Sequence, residues 1–217
     1  MTDSSPETAS AGDRYHHGDL RQTLITAALH LLTEEQNWGF SLREVARRAG
    51  VSHNAPYNHF RSKQDLLAAV AAAGYDLLRA QMQEAAASAE TPADALQEIG
   101  VAYVRFGTQN PAHYRLMFGS VLAAADSGLP AVVGEAAATA KDLLRAVIRD
   151  GMAQGRFAVP PSGLDMAVLS AWSLVHGLTL LLLDGLAVEG TAGAVNAPTA
   201  EQIAGQVTQL LLNGFRS

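Results

Sequence analysis

Apolar residues recur at helical spacing along almost the whole chain. Leu20, Leu24, Ala27, Ala28, Leu31 and Leu32 return every three or four positions, and Asp19 with Gln22 has the spacing of a capping box. A first helix is therefore expected over about residues 19–35. Asn37-Trp38-Gly39 interrupts it, after which Ser41 and Glu44 have the S-x-x-E spacing that satisfies backbone donors at a helix start, so a short second helix should run to Ala49. Gly50 stands where the chain must turn sharply, a position that favours a residue free to adopt positive φ. Ser52 is expected to cap a third helix ending at Phe60. Pro56 would be its fourth residue and would remove only the first intrahelical bond, so this helix should survive with a distorted first turn. Ser62 and Asp65 open a fourth helix that reaches about residue 88, with Leu66, Leu67, Val70 and Ala71 on one face.

The rest of the chain reads as a second helical unit. Thr91-Pro92-Ala93-Asp94 combines a cap, a first-turn proline and an acid, so a helix should start there and run toward Asn110-Pro111. Others are expected at about 112–119 and 131–153. Pro160-Pro161 is a firm break, Ser162 with Asp165 should open a long helix to Leu183, and residues 190–198 read as a loop before a last helix from Thr199. No stretch shows the alternation of a strand. The expected class is all-α: an N-terminal helix-turn-helix domain of three helices plus a connecting fourth at 16–70, and a C-terminal helical ligand-binding and dimerisation domain at 71–217. Residues 1–15 read as a disordered polar tail.

Charge sharpens this division. The formal net charge of −6 looks wrong for a nucleic-acid binder. Yet residues 14–63 carry +3, while residues 1–13 carry −3 and residues 64–217 carry −6, so the basic charge is local, as contact with DNA requires. The absence of cysteine removes disulfides and thiolate metal sites, and the acidic, polar start lacks the features of a secretory signal, which fits a cytoplasmic protein. Residues 166–183 hold no charge and are at the threshold for a membrane span. They include Ser170, Ser173, His176, Gly177 and Thr179 and are flanked by acids, so a buried subunit interface is the expected role and no membrane partner is inferred.

Two helices separated by a glycine-containing turn suit DNA contact. A helix starting at Ser52 would present backbone N–H groups and the Ser52 hydroxyl to a phosphate, with His53, Asn54 and Asn58 toward base edges. Asn is a suitable bidentate reader of adenine, and Ala55 suits a thymine methyl. Tyr57 and His59 are phosphate donors, Lys63 a point charge toward the backbone, and Ser41 and Arg43 on the second helix complete the candidate set. Any one of these residues also fits a plain surface or core role; Phe60 belongs to the core. From 41 to 67 the sequence SLREVARRAGVSHNAPYNHFRSKQDLL resembles the DNA-binding signature of the TetR family, with Ala46, Gly50, Val51, Tyr57, His59, Phe60 and Lys63 on signature positions. The resemblance implies a dimeric transcription factor that binds double-stranded DNA and responds to a small-molecule effector.

In the second unit, Tyr103, Phe106, Tyr114, Met117 and Phe118 concentrate aromatic surface in a chain with only 6% aromatics, and either fill a core or line an apolar pocket. Trp172 and His176, four apart, share a helix face that could look into the same space. A buried Trp beside a hydrogen-bonded His is the equally good plain alternative. Trp172 to Gly177 also resembles the Trp-x-x-x-His-Gly motif of one TetR-family C-terminal domain. No nucleophile elbow, zinc helix or phosphate loop occurs, so no catalytic residue, cofactor or metal is expected. A homodimer through the last two long helices is. Two other classes remain open at this level: a helical ligand-binding or interaction protein that does not read operator DNA, and a helical-bundle enzyme.

Overall fold

The computed structural model describes residues 17–122, 128–187 and 198–215. The tail at 1–15 and most of the loop expected at 190–198 lie outside the described residues. Every regular element among the described residues is helical: α1 (His17–Glu35), α2 (Leu42–Arg48), a 3-10 turn (Ala55–Asn58), α3 (Lys63–Ala87), α4 (Pro92–Gln109), α5 (Pro111–Phe118), α6 (Ala131–Ala153), a second 3-10 turn (Pro161–Gly163), α7 (Leu164–Leu183) and α8 (Ala200–Phe215). The chain divides into two compact units, Met1–Leu66 and Leu67–Ser217, with the boundary inside α3.

In the first unit the apolar stripe of α1, Leu24, Ala28, Leu31 and Leu32, is buried with Phe40, Leu42, Val45, Ala46 and Phe60. The helix α1 begins at His17, so Asp19 lies inside its first turn rather than at a cap. At α2 the expected box forms: the Glu44 N–H donates to Ser41 Oγ at 3.3 Å and the Ser41 N–H to Glu44 Oε2 at 2.6 Å. Its other end closes on Gly50, at φ 70°, where the Val51 N–H donates to Ala46 O and the Gly50 N–H to Arg47 O. Arg48 forks onto Glu34 of α1 and holds that carboxyl below the usual range.

The third helix is the main departure from expectation. Between Ser52 and Phe60 the only helical segment is the four-residue 3-10 turn, and the residue before it, Asn54, makes no side-chain capping bond. Pro56 is the cause. It has no N–H to close a bond onto Ser52 O, and its ring disfavours the α conformation at Ala55. The backbone takes tighter bonds instead: Ala55 N–H to Ser52 O, Tyr57 N–H to Asn54 O, His59 N–H to Pro56 O.

The second unit is built around α4, whose buried face packs against α8, α7 and α6. Two glycines one heptad apart allow the closest approaches. A Cβ on Gly100 would lie 2.5 Å from Thr208 Cγ2 of α8, and one on Gly107 would lie 2.3 Å from Thr179 Cγ2 of α7. Both threonines are buried, and each donates its hydroxyl to a carbonyl of its own helix, Ala204 and Val175 respectively, so neither leaves a polar atom unpaired. At α7 the expected Ser162 cap is absent. The prolines at 160 and 161 fix a 3-10 turn through Gly163, which stands at the cap position, and Asp165 meets Arg145 of α6 at 2.5 Å. Thr199 and Gln202 cap α8 reciprocally.

By length and composition the α7 segment could cross a membrane, yet only 28% of its most apolar window is buried within the chain. Its open face carries Met166, Leu169, Ser173, Gly177 and Leu181 at helical spacing, and α8 adds Ile203, Val207 and Leu210, the last 71% exposed.

Candidate nucleic-acid interface and ligand cavity

The turn that replaces the third helix puts its polar residues outward. Ser52, His53, Asn54, Tyr57 and Asn58 are all exposed, while Pro56 and Phe60 anchor the turn from below. Ala55 and His59 are half-buried. With four residues in 3-10 geometry there is no extended helix N-terminus to hold a phosphate, so the dipole-based role expected at Ser52 is withdrawn; its hydroxyl and the neighbouring side chains remain available. His59 has its Nε2 enclosed with no hydrogen-bond partner, which leaves less of the ring for a phosphate than the sequence suggests.

Cations sort into two groups. Lys63 is turned into its own unit, its ammonium donating to the Trp38 carbonyl and lying 5.2 Å from the Phe40 ring centroid. Arg43, Arg47 and Arg61 are exposed, and none forms an ion pair among the described residues. Arg47 was not in the sequence-derived set. Its signal was legible: it stands four residues after Arg43, one turn on along the same face of α2.

In the second unit a cavity of about 330 Å³ opens among α3, α4, α6, α7 and α8. Of the aromatic cluster read from the sequence, Tyr103, Phe118 and Trp172 line it. Phe106, Tyr114 and Met117 do not; all three are buried and belong to the core, where Phe106 and Tyr114 are fully enclosed. His176 stands behind the wall. Most of the remaining lining is aliphatic or small, including Leu78, Met82, Leu96, Ile99 and Val175, with Gly134, Ala137 and Ala138 of α6; Tyr75, Thr208 and Lys141 are the exceptions. No sequence pattern marks the aliphatic residues, because any of them reads as ordinary core.

A polar relay backs the aromatic wall. The Trp172 indole N–H donates to the Tyr103 oxygen at 3.2 Å, the Tyr103 and Tyr114 oxygens lie 3.2 Å apart, and these reach His176 Nδ1 at 3.1 and 2.6 Å. Burial pushes both phenols far above their ordinary range and lowers the His176 pKa. The lowered pKa favours the neutral imidazole near pH 7, and the direction of the two Nδ1 bonds follows its tautomer. His113, which the sequence did not single out, is buried against α3: its Nε2–H donates to the Val70 carbonyl at 2.7 Å, its Nδ1 has no partner, and burial lowers its pKa.

Residues 24–70 match the family described as bacterial regulatory proteins, tetR family, and residues 96–205 match the tetracyclin repressor-like C-terminal domain. Among solved structures, a protein of unknown function from Rhodococcus sp. RHA1 is 28% identical with a TM-score of 0.78, over 94% of this chain and 100% of that one. The TetR family transcriptional regulator PfmR of Thermus thermophilus is 23% identical with a TM-score of 0.62, over 89% and 99%. The fatty acid degradation regulator FadR of Bacillus halodurans is 16% identical with a TM-score of 0.69, over 90% and 99%. At such identities these last two share the fold with this chain. No curated protein matches it.

Proposed function

This chain belongs to the TetR family and is a DNA-binding transcriptional regulator, and on that premise we propose that it is a homodimeric repressor released from a pseudo-palindromic operator by a small, largely apolar ligand. The division of labour assigns residues 16–70 to DNA and 71–217 to effector and dimer. Asn54, Asn58 and His53 read base edges, with Ala55 beside a thymine methyl; Ser41, Arg43, Ser52, Tyr57 and His59 hold phosphates. Arg47 joins them, and Lys63 supports that surface from within. Two copies need two half-sites about one helical turn apart, ~34–36 Å.

The observation that carries the effector reading is the cavity: about 330 Å³, walled by apolar side chains, at the low end of the size typical of small-molecule sites. We read the C-terminal half as the Trp-x-x-x-His-Gly type on the spacing of Trp172, His176 and Gly177, and the contacts of Trp172 and His176 to one tyrosine, Tyr103, support that reading. The second copy covers the open apolar faces of α7 and α8, giving a four-helix bundle. The regulator works in the cytoplasm, without cofactor, metal or catalytic step.

Binding alone does not release DNA. A ligand shifts the equilibrium only by as much as it prefers the non-binding conformation. The test is a genome-wide binding selection followed by operator titration with and without ligand. A recovered symmetric site whose affinity falls as the cavity fills is the expected outcome; recovery of no symmetric site overturns the proposal.

A further inference from the structure

Resting on the reading of this cavity as the effector site, we propose that the effector is an amphipathic carboxylic acid, whose hydrocarbon body fills the cavity and whose carboxylate is held by Lys141 on the α6 rim. Among the described residues, Lys141 is the only one in the lining with a charged side chain. The other polar groups in the wall are already engaged within the unit: the Tyr75 hydroxyl donates to Met117 O, the Thr208 hydroxyl to Ala204 O, and the Trp172 N–H to Tyr103. A ligand buried there gains apolar contact and few new hydrogen bonds, so a polar body would lose its hydration without replacement. The head of such a ligand must therefore sit at the rim.

At the rim the electrostatics favour one sign. The Lys141 ammonium lies 4.8 Å from the Trp172 ring centroid and, among the described residues, pairs with no carboxylate. The acids nearby face a different cation: Arg145, one turn further along α6, holds Asp165 at 2.5 Å and stands 4.0 Å from Asp142. What Lys141 has is a cation–π contact to a cavity-wall indole, an interaction a ligand carboxylate can supplement or replace with a charge-assisted hydrogen bond. An organic cation would meet repulsion there, and an alcohol would gain only a neutral hydrogen bond.

Calorimetry on the intact chain with matched straight-chain alkanoates, 1-alkanols and alkylammonium ions, hexyl through dodecyl and below their micellar concentrations, tests this. The alkanoates should bind about tenfold or more tighter than alkanols of equal length, a gap of ~1.4 kcal/mol. Alkylammonium ions should bind weakest. Lys141→Met, which keeps the aliphatic stem, should bring the alkanoate down to the alkanol's affinity while leaving the alkanol unchanged, and Lys141→Arg should retain the preference. Equal binding of acids and alcohols to the parent chain, or a preference that persists in Lys141→Met, overturns the inference. A Cβ on Gly134 meets nothing within 4 Å, so Gly134→Leu adds a side chain beside the cavity without a clash at the backbone. If acids and alcohols bind equally and Gly134→Leu abolishes both, the cavity reading stands and only the acid is lost. If no member of any series binds, both fall.

Discussion

The two units use the same residue types in opposite ways. In the first, tyrosine, histidine and asparagine stand on a short turn with their polar atoms outward: Tyr57 is 54% exposed, and His53, Asn54 and Asn58 are exposed beside it. In the second, Tyr103 and Trp172 of the cavity wall are bonded into one network with Tyr114 and His176, which do not line it. The first set has hydrogen-bonding capacity to offer a partner. The second has spent its capacity internally, so it shapes and stiffens a cavity rather than reading a polar ligand. Substitutions should therefore separate cleanly into those that change recognition and those that change stability.

The largest effect should come from removing what joins two copies. Leu181→Glu with Leu210→Glu puts charge on the exposed apolar faces of α7 and α8, which the fold of one chain does not need. Sedimentation should show monomers, and operator affinity should fall by about 10²–10⁴-fold as bivalent engagement is lost. A double variant that remains dimeric would place the interface elsewhere.

Tyr103→Phe should act on stability. It strands the Trp172 N–H and removes one of two phenols from His176, costing about 1–3 kcal/mol in denaturant unfolding. The DNA preference of protein that remains folded should be unchanged. If its unfolding midpoint does not move, the relay contributes no stability.

Asn54→Ala should do the reverse. Stability should stay within about 0.5 kcal/mol, as for an exposed residue, while discrimination at one base pair falls by about 1–3 kcal/mol. Arg47→Ala should instead weaken all sequences alike and lower the salt slope by about one. Equal loss of base preference in both variants would reverse these roles.

The smallest effect concerns acid. In the folded chain His113 and His176 have pKa values lowered by burial, so the unfolded chain takes up protons first as pH falls. Stability should be intact above about 6.5, the ordinary histidine value, and should decline as pH drops below it toward the folded values. For His113 the incoming proton would have to sit on the enclosed, unpartnered Nδ1. His113→Gln should flatten the slope of thermal midpoint against pH; an unchanged slope would assign the acid sensitivity to other groups.

Much of this was legible in the chain itself. The capping box of Ser41 and Glu44, the positive φ at Gly50, the Thr91 cap and the limits of α6 all arise from interactions within a few residues, which spacing reports directly. The exposed polar turn was also legible as a set of residues. Its conformation was not, because the weight of Pro56 depends on whether the preceding turn is α or 3-10, and a sequence pattern does not distinguish them.

What the sequence by itself determined was the helical architecture, the local basic charge and the apolar excess of α7. Each follows from residue type at short separation. Only the tertiary structure decided which aromatics face a cavity and which fill the core, because Tyr103 and Tyr114 look alike in sequence, yet Tyr103 lines the cavity and Tyr114 does not. It likewise turned Lys63 inward, paired Arg145 with Asp165, and left Lys141 over Trp172 without a carboxylate among the described residues. Those outcomes depend on contacts between residues that are 20 to 31 positions apart in the chain, and no local pattern encodes which of two neighbouring cations finds the acid.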